Sequence, residues 1–233
     1  MSAPTGDVGD GGLAGSPGPH VFVESLDVLH VDDADIAHLV KSLRMRDGDA
    51  LTASDGQGNW CHAEFASSGM LARVGEVMHI SAPEASTTVA FSLTKQSKPE
   101  WVIQKLTELG VSRIVVLTSE RTIVRWDDAK VEKAKERWER IVVEAAMQSH
   151  QVRLPTVDGL VPSLDWLATP GVAIAHFDGE EVGSHLHSIA VGPEGGWSPE
   201  EVEAATSAVT LGASVLRAET AAIAAGVLLK TAR

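Results

Sequence analysis

From residue 85 onward, strand-patterned and helix-patterned runs alternate. That alternation restricts this part of the chain to an α/β fold with a mainly parallel sheet. Residues 89–94 read as a strand, and Ser97-Lys98-Pro99-Glu100 is a capping box with proline inside the first turn. The helix it opens carries Val102, Ile103, Leu106 and Leu109 on one face, and Gly110 stands where a C-terminal cap belongs. Residues 113–117 form the next predicted strand. A long helix over 128–148 then places Val131, Ala134, Trp138, Ile141, Val142 and Ala145 together. Residues 172–175 and 189–191 also read as strands. Ser198-Pro199-Glu200-Glu201 is a second capping box, predicting a helix to about residue 208. A last helix from about Glu219 is almost all Ala, Ile, Val and Leu, so it should be buried on most sides.

The preceding segment has a different character. Residues 21–23, 50–54, 59–65 and 71–80 read as strands, with the turn signal Asp55-Gly56-Gln57-Gly58 between the second and third. Asp33 is the expected cap of a short helix bearing Ile36, Leu39, Val40 and Leu43, which ends at the basic turn around Arg44 and Arg46. Residues 20–82 are therefore expected to form a small, mostly β domain and residues 83–233 a second one. Residues 1–19, rich in Gly, Pro, Ser and Asp, are expected to be a disordered tail.

Among the 233 residues Cys61 is the only cysteine, which excludes a disulfide framework and a cysteine-based zinc site within one chain. His185 and His187 have no third ligand at useful spacing, so no metal is expected. No apolar run reaches the roughly 18 residues of a membrane span, and no basic, apolar leader opens the chain. A soluble, cytoplasmic protein is expected. The net charge of −13 disfavours a polyanionic partner only as a total. Residues 1–84 carry a net −9 and residues 161–233 a net −6, but residues 85–160 carry +2. Local field decides where a polyanion docks. The interleaved charges of the 130–140 stretch read instead as a solvated helix face.

Two stretches carry the chemistry. Val191-Gly192-Pro193-Glu194-Gly195-Gly196-Trp197 joins a strand to a capped helix, and its three glycines let backbone N–H groups approach a ligand. No Gly-Lys-Ser/Thr follows, so it is not a nucleoside-triphosphate loop, and it lacks the dinucleotide G-x-G-x-x-G pattern. Leu211-Gly212-Ala213-Ser214-Val215-Leu216-Arg217-Ala218-Glu219-Thr220-Ala221 places an Arg and a Glu two apart, where a strand meets an apolar helix. By itself such a pair fits either a site or a capped helix start.

Taken together, these runs resemble the ribosomal small-subunit RNA methyltransferase E family over nearly the whole chain. The segments around His38-Leu39-Val40-Lys41-Ser42-Leu43-Arg44 and Glu108-Leu109-Gly110-Val111 match its pattern in order and spacing. So do Ser119-Glu120-Arg121 and Glu144-Ala145-Ala146-Met147-Gln148-Ser149. Gln151 stands where the family usually has Arg, and Ala213-Ser214 where it usually has Pro and often a basic residue.

The resemblance implies a PUA-like RNA-binding β-barrel followed by a SPOUT-class α/β domain with a deep trefoil knot. It implies a homodimer that methylates N3 of a uridine in 16S ribosomal RNA. It also implies an S-adenosylmethionine site built from Ala175, His176 and Phe177, from Gly192, Glu194, Gly195 and Gly196, and from Leu211, Gly212, Leu216, Arg217 and Ala218. Arg217 is the expected cation beside the uracil oxygens. Glu219 is the expected base, with Glu194 in reserve. Lys41, Arg44, Arg46, Lys95, Lys98, Arg121 and Gln148 are the expected RNA contacts. The alternatives are a ribose 2′-hydroxyl methyltransferase of the same class and a non-catalytic RNA-binding module.

Overall fold

The computed structural model describes residues 13, 15–94 and 98–232. The chain forms two units, Met1–Pro83 with Val143–Leu154 and Glu84–Val142 with Pro155–Arg233.

The first unit is built on a four-stranded sheet. Its elements are β1 (His20–Phe22), α1 (Asp33–Lys41), β2 (Ala50–Ser54), β3 (Asn59–Glu64) and β4 (Ala72–His79), with strand order β1-β2-β3-β4. β1 lies parallel to β2, and the other pairs are antiparallel. Asp55 makes the β2–β3 turn by accepting the N–H groups of Gln57 and Asn59 at 2.7 and 3.2 Å. The cap of α1 is Asp32, one residue before the expected Asp33: Asp32 has extended backbone and accepts the Asp35 N–H at 2.8 Å. Leu39, Leu51, Cys61 and Phe65 lie in the core of this unit.

Of the expected tail, residues 1–12 and 14 lie outside the described residues, and residues 13 and 15–19 are described. Leu13 is buried against Trp60 and Val152, and its N–H donates to the His150 carbonyl at 2.9 Å. One leucine in a run rich in Gly, Pro and Ser gives no sign of this in the sequence.

His20 is a buried titratable group of this unit. Its ring nitrogens meet Thr52 Oγ1 and Ser54 Oγ, each at 2.8 Å, and its ring stacks near that of His150. Burial, and next the neighbouring His150, push its pKa down to about 4. The unfolded chain binds this proton near pH 6.5 and the folded one does not, so His20 favours folding above that pH. The contribution should fall away as pH drops toward 4, by about 3 kcal/mol. Denaturant melts from pH 7 to pH 4 should show His20→Gln with a shallower loss than the wild type; equal slopes would contradict this account.

The second unit is layered on a six-stranded sheet. In chain order its elements are β5 (Thr88–Ser92), α2 (Lys98–Glu108), β6 (Arg113–Thr118), α3 (Asp128–Gln148), β7 (Thr156–Pro162) and α4 (Ser163–Leu167). They continue with β8 (Val172–Glu180), β9 (Ser188–Val191), α5 (Pro199–Ala204), β10 (Ser207–Val209) and α6 (Ala218–Thr231). The last turns of α3 belong to the first unit. Strand order is β10-β8-β9-β5-β6-β7, and every pairing is parallel. All five residues of β5 are buried, as a strand covered on both faces requires.

α2 ends in a Schellman motif, with Gly110 N–H on Thr107 O, Val111 N–H on Leu106 O and a left-handed Gly110. Its expected cap Ser97 lies outside the described residues. The second capping box is present as expected: Ser198 Oγ accepts the Glu201 N–H, and Glu201 Oε2 accepts the Ser198 N–H. α5, however, stops at Ala204 rather than near 208, because Ser207–Val209 pairs with β8 as an edge strand. α6 packs on α2, β5 and β9, which accounts for its apolar composition.

Candidate functional site

The C-terminal halves of β8 and β9 and the loop after β10 converge on one cavity. In open parallel sheets this is where ligands bind, because loops leaving adjacent strand ends leave a crevice between them. The cavity has a volume of about 540 Å³. Eleven of the expected cofactor residues line it: Ala175, His176 and Phe177 from β8, Gly192, Glu194 and Gly196 after β9, and Leu211, Gly212, Leu216, Arg217 and Ala218 before and at α6. Gly195 is set back from the lining, and its carbonyl accepts from Arg121 Nη1 at 3.1 Å.

Two glycines are held for different reasons. Gly196 has φ +71°, a left-handed conformation that side chains rarely adopt, and its N–H closes a turn on Pro193 O at 2.8 Å. A Cβ at Gly192 would lie 3.0–3.2 Å from the Trp197 ring, so this glycine makes room for the indole. Trp197, 7 % exposed, donates its indole N–H to Ala175 O at 3.3 Å, and so ties the β9 loop to β8. The sequence places Trp197 against the loop as a residue that could line the site, and it does line the cavity. Val215, within the 211–221 stretch, also lines the cavity, and so does Thr210, which no sequence signal singles out.

The charged groups separate. Arg217 is exposed, lines the cavity and caps α6 through its carbonyl, with no ion pair among the described residues. Glu194 lines the cavity as well. Glu219, the expected base, is not among the lining residues. It is 9 % exposed, and its Oε1 meets Lys98 Nζ at 2.9 Å. Burial opposes its ionisation, but its own backbone N–H, the Lys98 hydrogen bond and charge, and the Arg217 charge together hold the carboxyl below the usual range. A base wants a pKa near working pH, so this environment suits an anchor for the start of α6 better than a proton acceptor.

The expected RNA contacts are dispersed. Lys41, Arg44 and Arg46 are exposed in and after α1, with Arg44 at φ +57°. Gln148 is exposed at the end of α3 in the same unit. Lys98 is engaged by Glu219 rather than free for a phosphate, Arg121 forms a wall of the cavity, and Lys95 lies outside the described residues. His185 and His187 form no metal-binding group with other residues among those described.

Residues 82–230 match a family model described as an RNA methyltransferase domain, and residues 31–69 match one described as an RNA methyltransferase PUA domain. Ribosomal RNA small subunit methyltransferase E of Mycobacterium bovis is 34% identical over 220 residues, spanning 84% of this chain and 83% of that protein. The protein of the same name from Bacillus subtilis is 30% identical over 226 residues, 85% and 88% of the two chains. Among solved structures, that of the Neisseria gonorrhoeae protein of this name, bound to S-adenosyl methionine, superposes with a TM-score of 0.76. It is 26% identical and covers 91% of this chain and 97% of its own. Two domain matches in the order the fold displays, with relatives aligned over most of both lengths, place this chain in the ribosomal RNA small subunit methyltransferase E family.

Proposed function

We propose that this ribosomal RNA methyltransferase moves a methyl group from S-adenosylmethionine to N3 of a uridine in 16S ribosomal RNA. The observation that carries the reading is the cavity formed where three backbone loops meet at the ends of β8, β9 and β10. Its walls fit the cofactor. Backbone groups of the 192–196 and 211–218 loops can meet the polar edges of an adenosine, while Leu211, Leu216 and Ala221 offer an apolar bed for the base.

When bound there, S-adenosylmethionine supplies an electrophilic methyl group on a sulfonium. The chain's own residues do the rest. Loop backbone fixes the acceptor nitrogen in line, which converts an encounter into a positioned reaction. Arg217 stabilises the charge that gathers on the uracil oxygens as N3 loses its proton. Glu194, which faces the cavity, takes that proton, in preference to Glu219, which Lys98 holds. Transfer of labelled methyl from S-adenosylmethionine to small-subunit rRNA tests the reading; a purified protein that neither binds the cofactor nor labels RNA would overturn it.

The same reading includes a homodimer in the cytoplasm and a knot at α6. Trp101 on α2 and Val227 on α6 leave apolar surface exposed on two packed helices, which supports a second copy. No helix among the described residues is long and apolar enough to cross a membrane. RNA docking is assigned to the exposed cations of the first unit. Replacing Arg44 and Arg46 together by alanine should lower the salt slope of binding by about one unit for each phosphate no longer neutralised, and weaken all RNA sequences alike. An unchanged slope would remove these residues from the interface.

A further inference from the structure

The carboxylate of Glu201 has no role in the chemistry above, yet it is fully buried and its two oxygens accept three hydrogen bonds. Oε1 accepts the Glu120 N–H at 3.1 Å and the Ser163 hydroxyl at 2.5 Å; Oε2 accepts the Ser198 N–H at 2.8 Å. Only the last of these is ordinary helix capping. The other two donors come from the loop after β6 and from the start of α4, 81 and 38 residues away in sequence.

What flanks these donors is informative. Glu120 precedes Arg121, whose guanidinium lines the cavity and holds the Gly195 carbonyl. Ser198 follows Trp197, whose ring stands over Gly192 and whose N–H holds β8 at Ala175. One acceptor therefore fastens the backbone beside each of two cavity walls. We propose that Glu201 is a positioning residue: its buried carboxylate sets Arg121 and Trp197 across the cavity, and thereby the geometry in which cofactor and acceptor base meet. A carboxylate suits this because it only accepts, and all three groups facing it donate. An amide would turn a donor toward at least one of them and leave a buried N–H unsatisfied. The proposal rests on the reading of the cavity as the S-adenosylmethionine site.

The test compares Glu201→Gln with Ser163→Ala in the full-length protein. Both remove part of the same buried cluster, but the Ser163 hydroxyl bonds to Glu201 and not to Arg121 or Trp197. Glu201→Gln should weaken S-adenosylmethionine binding at least about tenfold by calorimetry and slow single-turnover transfer at saturating cofactor by a similar factor. Ser163→Ala should leave affinity within about twofold while lowering the melting temperature. If Glu201 acts through Arg121, adding Arg121→Met to Glu201→Gln should cost much less than the Arg121 change alone. The inference is overturned by near-wild-type affinity and rate in Glu201→Gln, by losses in both single variants that track stability, or by full additivity in the double variant. A wild-type protein that binds no S-adenosylmethionine would instead overturn the reading of the cavity.

Discussion

Gly196→Val should weaken S-adenosylmethionine binding by about a hundredfold or more, about 2.7 kcal/mol. The cause is conformation rather than crowding. The nearest atom to a Cβ at this position is Arg121 Nη1, 4.0 Å away. At φ +71°, however, a β-branched side chain is strained by about 1–3 kcal/mol, and the loop escapes the strain by giving up its turn. With the turn go the N–H directions that the loop offers to a ligand. Asparagine tolerates left-handed backbone, so Gly196→Asn should retain affinity within about tenfold. Gly192→Ala acts differently, by pushing the Trp197 ring off its bond to Ala175. Calorimetry on all three variants, with melting curves to confirm folding, separates these causes. Wild-type affinity in Gly196→Val would remove the loop from the cofactor site.

The second large effect concerns the charged residues. Arg217→Ala should cut single-turnover methyl transfer by about 10²–10³-fold while cofactor affinity changes little, because a donor aimed at developing charge acts mainly in the transition state. Glu194→Gln should cut it about tenfold or more, in line with the loss of general-base help. Glu219→Gln should leave the rate near wild type and act on stability instead. With its folded pKa held down, Glu219 stabilises the fold above the ordinary carboxylate range, and that contribution is lost as pH falls through the lowered value. The glutamine variant should therefore be less acid-sensitive than the wild type. A ranking in which Glu219→Gln loses transfer and Glu194→Gln does not would return the base to Glu219.

Local rules make much of this molecule readable from its residues alone. The Ser198 capping box, the Gly110 cap and the 128–148 helix each depend on residues within one or two turns of each other. The three cavity loops are readable for a related reason, since strand ends in a parallel sheet face one side and glycines mark where backbone is offered. β7 is not foreseen: Asp158, Gly159 and Pro162 disguise an edge strand that is only partly buried. β10 has three residues in an alanine-rich run that reads as more helix, and only its pairing with β8 makes it a strand. The place of Val143–Leu154 within the first unit is equally hidden. It depends on hydrogen bonds such as Arg153 with Ile80 O and Leu13 with His150 O, which no local pattern encodes. The pairing of Glu219 with Lys98 is hidden for the same reason, since Lys98 lies on another helix far away in sequence.

The proposed reaction is tested most directly by nucleoside mass spectrometry of 16S ribosomal RNA from cells with and without this protein. N3-methyluridine should be present in the first sample, absent from the second, and restored by the wild-type chain but not by Arg217→Ala. Loss of a 2′-O-methylated nucleoside instead, or identical nucleoside profiles in the two samples, would contradict the account.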